Sequence, residues 1–367
     1  MNTSSQQPNH LAVTTAKVRA VDVGYFNTKI TLGRNESAGL IETQIFPSMT
    51  TRFNGTLLDS PGMSALDIYI VDVGESKTRF AVGKDVGFVM TGKEKRLTSE
   101  HYCTSMEYSA LFKGALHEIA KAEGYPPLLI IEKLVLGLPL NTYQTFHNKL
   151  VANAKGFHSL KTKDGKDCLV KVIDVHVIVQ PQGALINCSM KLNQPIQGWQ
   201  LVLDPGGGTL DWFLTKGNVP SWSRSGAYPK SMLSCSTDVA RKLNPKWQHQ
   251  PEIIEIIDKA ICDHAASFKI GPDIFSTNNI WNTVDAAFEE PFNAMLESIG
   301  ETDVIEKILV TGGAGKVLHR HMLKFHPELA RKVVMDDDPV FSNVRGFHMI
   351  GEMFASHAGV QNATAIA

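Results

Sequence analysis

Two short segments constrain this chain more than anything else in it. The first is Ala20-Val21-Asp22-Val23-Gly24-Tyr25-Phe26-Asn27-Thr28-Lys29-Ile30, and the second is Leu201-Val202-Leu203-Asp204-Pro205-Gly206-Gly207-Gly208-Thr209-Leu210-Asp211. Each runs an apolar stretch of β character into an aspartate, turns on glycine beside a hydroxyl or amide side chain, and enters a second strand. Two hairpins built alike, each followed by alternating strands and helices, predict an α/β chain made by internal duplication, with a cleft between the halves. A third strand, Ile308-Leu309-Val310, ends in Thr311-Gly312-Gly313-Ala314-Gly315.

The chemistry of these turns points to a polyphosphate. Backbone N–H groups must approach a phosphate closely, and glycine permits both the approach and the positive φ it often needs. Gly24 serves the first turn, and Gly206, Gly207 and Gly208 the second. Asn27 and Thr209 add side-chain donors, and Lys29 adds a point charge one strand step beyond the turn. Asp22 and Asp204 would repel the anion unless Mg²⁺ lies between, held partly through water. Asp211 either orients the second loop or ends an exposed strand edge. Two other phosphate motifs fail. Gly312 to Lys316 lacks the glycine and the Ser/Thr of a P-loop, since Val310 and Val317 stand in those places, and Gly206 to Asp211 lacks the third glycine of a dinucleotide fold.

The rest of the chain sets the frame. Its 367 residues exceed one ordinary core and predict two domains. A net charge of −1 gives no global pull toward nucleic acid or an acidic membrane. No apolar run reaches the length of roughly 18 residues that a membrane helix needs. The five cysteines are widely spaced, which favours reduced thiols over a disulfide frame. His319 and His321 read as a solvated helix face rather than a metal site. Residues 1–16 read as a disordered tail. Strands are expected at 17–32 around the Gly24 turn, 41–46, 68–73, 78–82, 133–138, 161–171 around Asp164-Gly165, 174–179, 201–203, 211–214, 307–310 and 333–335. Helices are expected at 105–123, 183–192, 236–243, 252–267, 281–299, 316–325 and 342–356.

In this order the three glycine elements resemble the phosphate-1, phosphate-2 and adenosine motifs of the actin/Hsp70/sugar-kinase superfamily. Val135-Leu136-Gly137-Leu138-Pro139-Leu140-Asn141-Thr142-Tyr143 is similar to the Gly-x-Pro segment of the ParM/StbA family of bacterial actin-like plasmid-segregation proteins. Val177-Ile178-Val179-Gln180-Pro181-Gln182-Gly183-Ala184 resembles the connecting strand and helix of that family, and Phe341-Ser342-Asn343-Val344-Arg345-Gly346-Phe347 its C-terminal connecting helix. Phe80-Ala81-Val82-Gly83 also recurs there. The resemblance runs from residue 18 to 351.

It implies a two-domain actin-like (ribonuclease H-like duplicated) α/β fold with a central nucleotide cleft. One domain would span 17–180, with 342–367 returning to it, and the other 181–341. Asp22, Gly24, Tyr25, Phe26, Asn27 and Lys29 fall on phosphate-1. Asp204, Gly206, Gly207, Gly208, Thr209 and Asp211 fall on phosphate-2, and Gly312, Gly313 and Ala314 on the adenosine loop. Gln182 falls on the position that orients the attacking water, with Asp22 and Asp204 on the magnesium side. The implied activity is a cytoplasmic ATPase using ATP or GTP with Mg²⁺. It would self-associate into nucleotide-dependent filaments and serve DNA segregation through a DNA-binding adaptor, without touching nucleic acid or membrane itself. Pro205 and the bulky pair Tyr25 and Phe26 depart from the family pattern. They keep open a non-hydrolysing nucleotide-bound scaffold. A small-molecule kinase of the same fold is the other alternative, although the sequence offers no clear substrate-base motif.

Overall fold

The computed structural model describes residues 12–35, 37–55, 64–91, 94, 96 and 99–364. The first half carries β1 (Val13–Val23), β2 (Asn27–Arg34), β3 (Ile41–Pro47), β4 (Thr51–Arg52), β5 (Tyr69–Val73), β6 (Thr78–Val82), α1 (Met106–Ala122), β7 (Leu128–Leu138), α2 (Leu140–Ala154), β8 (Gly156–Lys161) and β9 (Asp167–Val179). Helix α3 (Gln180–Leu192) leads into the second half. There follow β10 (Trp199–Pro205), β11 (Leu210–Lys216), β12 (Val219–Pro220), β13 (Gly226–Tyr228), α4 (Met232–Leu243), α5 (Pro251–Cys262), β14 (Ser267–Ile270), β15 (Asp273–Ser276), α6 (Trp281–Ile299), β16 (Ile305–Val310), α7 (Gly315–Phe325), α8 (Pro327–Ala330), β17 (Val333–Met335) and α9 (Ser342–Thr364).

Two sheets organise these elements and repeat one plan. The first has the order β3-β2-β1-β7-β9-β8, and the second β12-β11-β10-β16-β17 with β13 also on β11. In each, a central strand pairs antiparallel with its hairpin partner and parallel with a later strand: β1 with β2 and β7, β10 with β11 and β16. The central strands are apolar and buried, as parallel strands covered on both faces must be. Each sheet has its own core, one holding Val21, Ile30, Phe46, Leu116 and Leu129, the other Leu201, Leu203, Phe288, Phe292 and Ile308.

Two helices join the sheets. Ala20, Val135 and Ile178 of the first sheet receive Val344, Phe347 and Ile350 of α9. Val202, Phe213 and Leu309 of the second sheet receive Ala184 and Leu185 of α3. The two helices cross each other at Gly183 and Gly346, where a Cβ on Gly346 would collide with the Gly183 carbonyl. The layers thus run sheet, α9, α3, sheet, with bare backbone at the crossing. On the far side of the first sheet, Ser105 caps α1 by accepting the Tyr108 N–H at 3.0 Å.

Most predicted elements are present, and the departures have physical causes. Residues 13–16 belong to β1, held by parallel pairing to 128–131, where the sequence predicted part of a disordered tail over 1–16; residues 1–11 lie outside those described. Residues 56–63 also lie outside them. Helix α5 stops at Cys262, and 267–270 pairs with 273–276 as a hairpin where the sequence reading extended the helix to 267. Helix α3 begins at Gln180, since proline suits a first helical turn. His321 is buried against Phe292 and Phe325 rather than solvated. Among the described residues no helix is long and apolar enough to cross a membrane.

Candidate functional site

The two hairpins bring their aspartates to one cavity of about 520 Å³ between the sheets. Asp22 lies opposite Lys29 in the β1–β2 ladder, and Asp204 lies opposite Asp211 at the equivalent place in β10–β11. Duplication therefore put a carboxylate at each strand end, with a cation across from one and a second acid across from the other. Asp22 and Asp204 are 1% and 6% exposed, so their environment decides their chemistry.

Lys29 is the positive centre. Its Nζ donates to Asp22 Oδ2 at 2.9 Å. Burial pulls its pKa down, but Asp22 and then Asp204 outweigh this and hold the ammonium above its usual value. Burial raises Asp204, with Asp22 adding to the rise, while Lys29 and a hydrogen bond from Asn343 oppose it. Asp211 is pushed up to about 7 by burial and then by Asp204. It accepts from Thr209 Oγ1 at 2.5 Å and from the Leu140 N–H at 3.3 Å, so it fastens the second loop to the start of α2.

Two amides orient the aspartates. Gln180 Nε2 donates to Asp22 Oδ1 at 2.7 Å, and Asn343 Nδ2 donates to Asp204 Oδ2 at 2.6 Å. Each comes from the first turn of a helix that joins the sheets, α3 and α9. Gly312, at φ 74°, completes the support, because a side chain there would run into the Asp204 carboxylate.

The glycine loops face each other directly. A Cβ on Gly207 would lie 2.5 Å from Phe26 Cβ, and one on Gly208 would lie 2.6 Å from the Tyr25 ring. Glycine is needed at both positions for the loops to meet. Tyr25 stacks on Tyr102 with ring centroids 5.0 Å apart, and burial followed by Asp211 pushes its phenol up to about 12. Arg96 lies over the Phe26 ring at 4.2 Å, donates to the Phe26 carbonyl at 2.6 Å, and pairs with Glu255 of α5 on the other side of the cleft.

Of the residues singled out from the sequence, Asp22, Gly24, Tyr25, Phe26, Asn27, Lys29, Asp204, Gly206, Gly207, Thr209, Asp211, Gly312, Gly313 and Ala314 line this cavity. Gly208 lies under Tyr25 instead. Gln182 is a correction. It lines a separate cavity of about 410 Å³ with Leu185, Phe213, Trp222 and Met353. Two residues along a helix turn the side chain by roughly 200°, so Gln180 and Gln182 cannot face the same way. Of the two glutamines, Gln180 is the one in the cleft. Asn343, Arg96 and Glu255 were given no role from sequence; the one hint was an amide at the start of a helix.

Among the described residues no group of three or more His, Cys, Asp or Glu is placed to hold a metal. The donor set nevertheless fits Mg²⁺ brought by a nucleotide, which needs only one or two carboxylates besides phosphate and water. Asp22 and Asp204 would be those carboxylates, and the buried Asn343 Oδ1 has no hydrogen-bond partner among the described residues.

Residues 20–183 match the family described as the N-terminal domain of actin like proteins. Three solved structures share the fold across nearly the whole chain. The actin-like protein Alp7A aligns with TM-score 0.70 and 15% identity over 95% of this chain and 100% of its own. Ta0583, an archaeal actin homolog in complex with ADP, aligns with TM-score 0.67 and 18% identity over 92% and 100%. ParM from a 15-stranded filament of Clostridium botulinum aligns with TM-score 0.67 and 18% identity over 93% and 100%. No curated protein sequence matches the chain. The fold is actin-like, as the glycine motifs implied.

Proposed function

We propose that this chain is a nucleotide-dependent, filament-forming ATPase of the cytoplasm, working in DNA segregation through a DNA-binding adaptor. The observation that carries the reading is the pair Asp22 and Asp204, delivered by two equivalent hairpins to one buried cavity around Lys29. Residues 17–180 with 342–367 would act as one domain and 181–341 as the other, closing on ATP or GTP. The filament and ADP-bound relatives support this use of the fold.

Bound Mg²⁺ would neutralise phosphate charge and orient the terminal group. The protein's own residues do the rest. Lys29 supplies a fixed positive charge. Glycine N–H groups of the two loops meet phosphate oxygens. Gln180, anchored on Asp22, orients the attacking water, since positioning carries much of phosphoryl transfer. Tyr25 and Phe26 keep bulk solvent from the loops. Asp211 holds the second loop on α2.

Light scattering after addition of ATP-Mg²⁺, ADP-Mg²⁺ or buffer, with electron microscopy of the same samples, tests the reading. Filaments with ATP-Mg²⁺ that are lost in Asp204→Ala support it, and no nucleotide-dependent assembly refutes it. Tyr25 and Phe26 packed on Gly208 and Gly207 favour a second reading, a nucleotide-bound scaffold that does not hydrolyse. Wild-type phosphate release no higher than that of Asp204→Ala would select it.

A further inference from the structure

Asn343 is 4% exposed and lines the cleft. Its Nδ2 holds Asp204 Oδ2 at 2.6 Å, while its Oδ1 is buried and has no hydrogen-bond partner among the described residues. With the NH₂ end donating to Asp204, the amide oxygen faces away from that carboxylate. The backbone of the residue is held in place. The Asn343 carbonyl fills the space that a Gly183 side chain would need. One residue earlier, Ser342 Oγ donates to Asp336 Oδ2 at 2.6 Å, and Asp336 also accepts from Asn187 and Lys191 of α3, at 2.7 and 2.5 Å. The residue is therefore clamped between α3 and the β17–α9 turn.

A buried acceptor without a donor is costly, and few are left so in folded proteins. The donor that would satisfy Oδ1 must tolerate Asp204 beside it and Asp22 within the same cavity. Water in the shell of a divalent cation meets that demand: it carries polarised O–H groups and arrives with positive charge.

We propose that Asn343 is a positioning residue for the magnesium-nucleotide complex, its N–H fixing Asp204 and its Oδ1 accepting from cation-bound water. The inference rests on the nucleotide reading above and adds a residue to it. Because α9 is one of the two helices joining the sheets, Asn343 would also tie cation occupancy to the seating of α9 on α3.

The test is binding of a fluorescent ATP analogue in Mg²⁺ and in EDTA, for wild type, Asn343→Leu, Asp204→Asn and the double variant, with thermal melting without nucleotide as the folding control. Wild type should gain affinity from Mg²⁺. Asn343→Leu should lose about 10–100-fold of that gain, as for other residues that orient metal ligands, with EDTA affinity unchanged. The double variant should be no weaker than Asp204→Asn. An Asn343→Leu protein that keeps the full gain, or that weakens equally in EDTA, overturns the role. Should Asn343→Leu fail to fold, Asn343→Ser is read by the same two outcomes. A wild type that binds the analogue equally with and without Mg²⁺ overturns the magnesium site itself, which separates failure of the site from failure of Asn343.

Discussion

At the scale of single residues, a position is legible when its chemistry and its local pattern coincide. Asp22 and Asp204 stand out because an apolar strand ending in aspartate and glycine occurs twice in the chain; one such turn alone is commonly an ordinary β-turn. Gln180 does not stand out, since Gln-Pro-Gln offers two amides and only the onset of α3 decides which one enters the cleft. Asn343 is harder still, because its partner lies 139 residues away. The choice between the two glutamines is directly measurable. Gln180→Leu should lower phosphate release about 100-fold while leaving nucleotide affinity within a few-fold, the signature of lost positioning. Gln182→Leu should leave turnover near wild type. Equal effects from both variants would remove Gln180 from its role.

At the scale of elements, the glycine turns and amphipathic helices were readable, whereas elements set by distant partners were not. Helix α2 carries no charge pair and buries little beyond Thr142, Leu150 and Ala154, so its existence depends on packing against β9. The β14–β15 hairpin was missed: the expected helix ran on from α5 to 267, because Ile261 continues its pattern, and 268–276 were given no element. Helix α5 also carries a pH-sensitive carboxyl. Burial pushes Asp258 up to about 7, with Glu255 and Asp263 adding to the rise and Ser236 and Arg96 opposing it; the Cys235 and Cys262 thiols also lie against it. The folded chain then holds a proton that the unfolded chain has released above its ordinary value of 3.8. Stability from this group is full below about pH 4 and is lost as pH rises toward 7. Asp258→Asn should therefore gain about 1–3 kcal/mol relative to wild type between pH 4 and 7, read from urea unfolding at several pH values. A constant difference across that window would discount the buried carboxyl.

At the scale of the whole molecule, the duplicated sheets were foreshadowed by two like motifs, but the contacts across the cleft were not. Arg96 and Glu255 are 159 residues apart, and neither has a local signature. Their pairing ties the Phe26 loop to α5, so it should slow escape of a bound nucleotide. Arg96→Ala is expected to raise the nucleotide off-rate about tenfold, within the usual range of coupling between sites, with a smaller change in on-rate. Stopped-flow displacement measures both, and an unchanged off-rate would make the pair a surface detail. The bare crossing of α3 and α9 has a different consequence. Two backbones touching at Gly183 and Gly346 make a fulcrum almost without thickness, and the aspartates lie near it. Small displacements beside the phosphates would be magnified toward the outer ends of both sheets, and a single methyl inserted at the crossing would jam the lever.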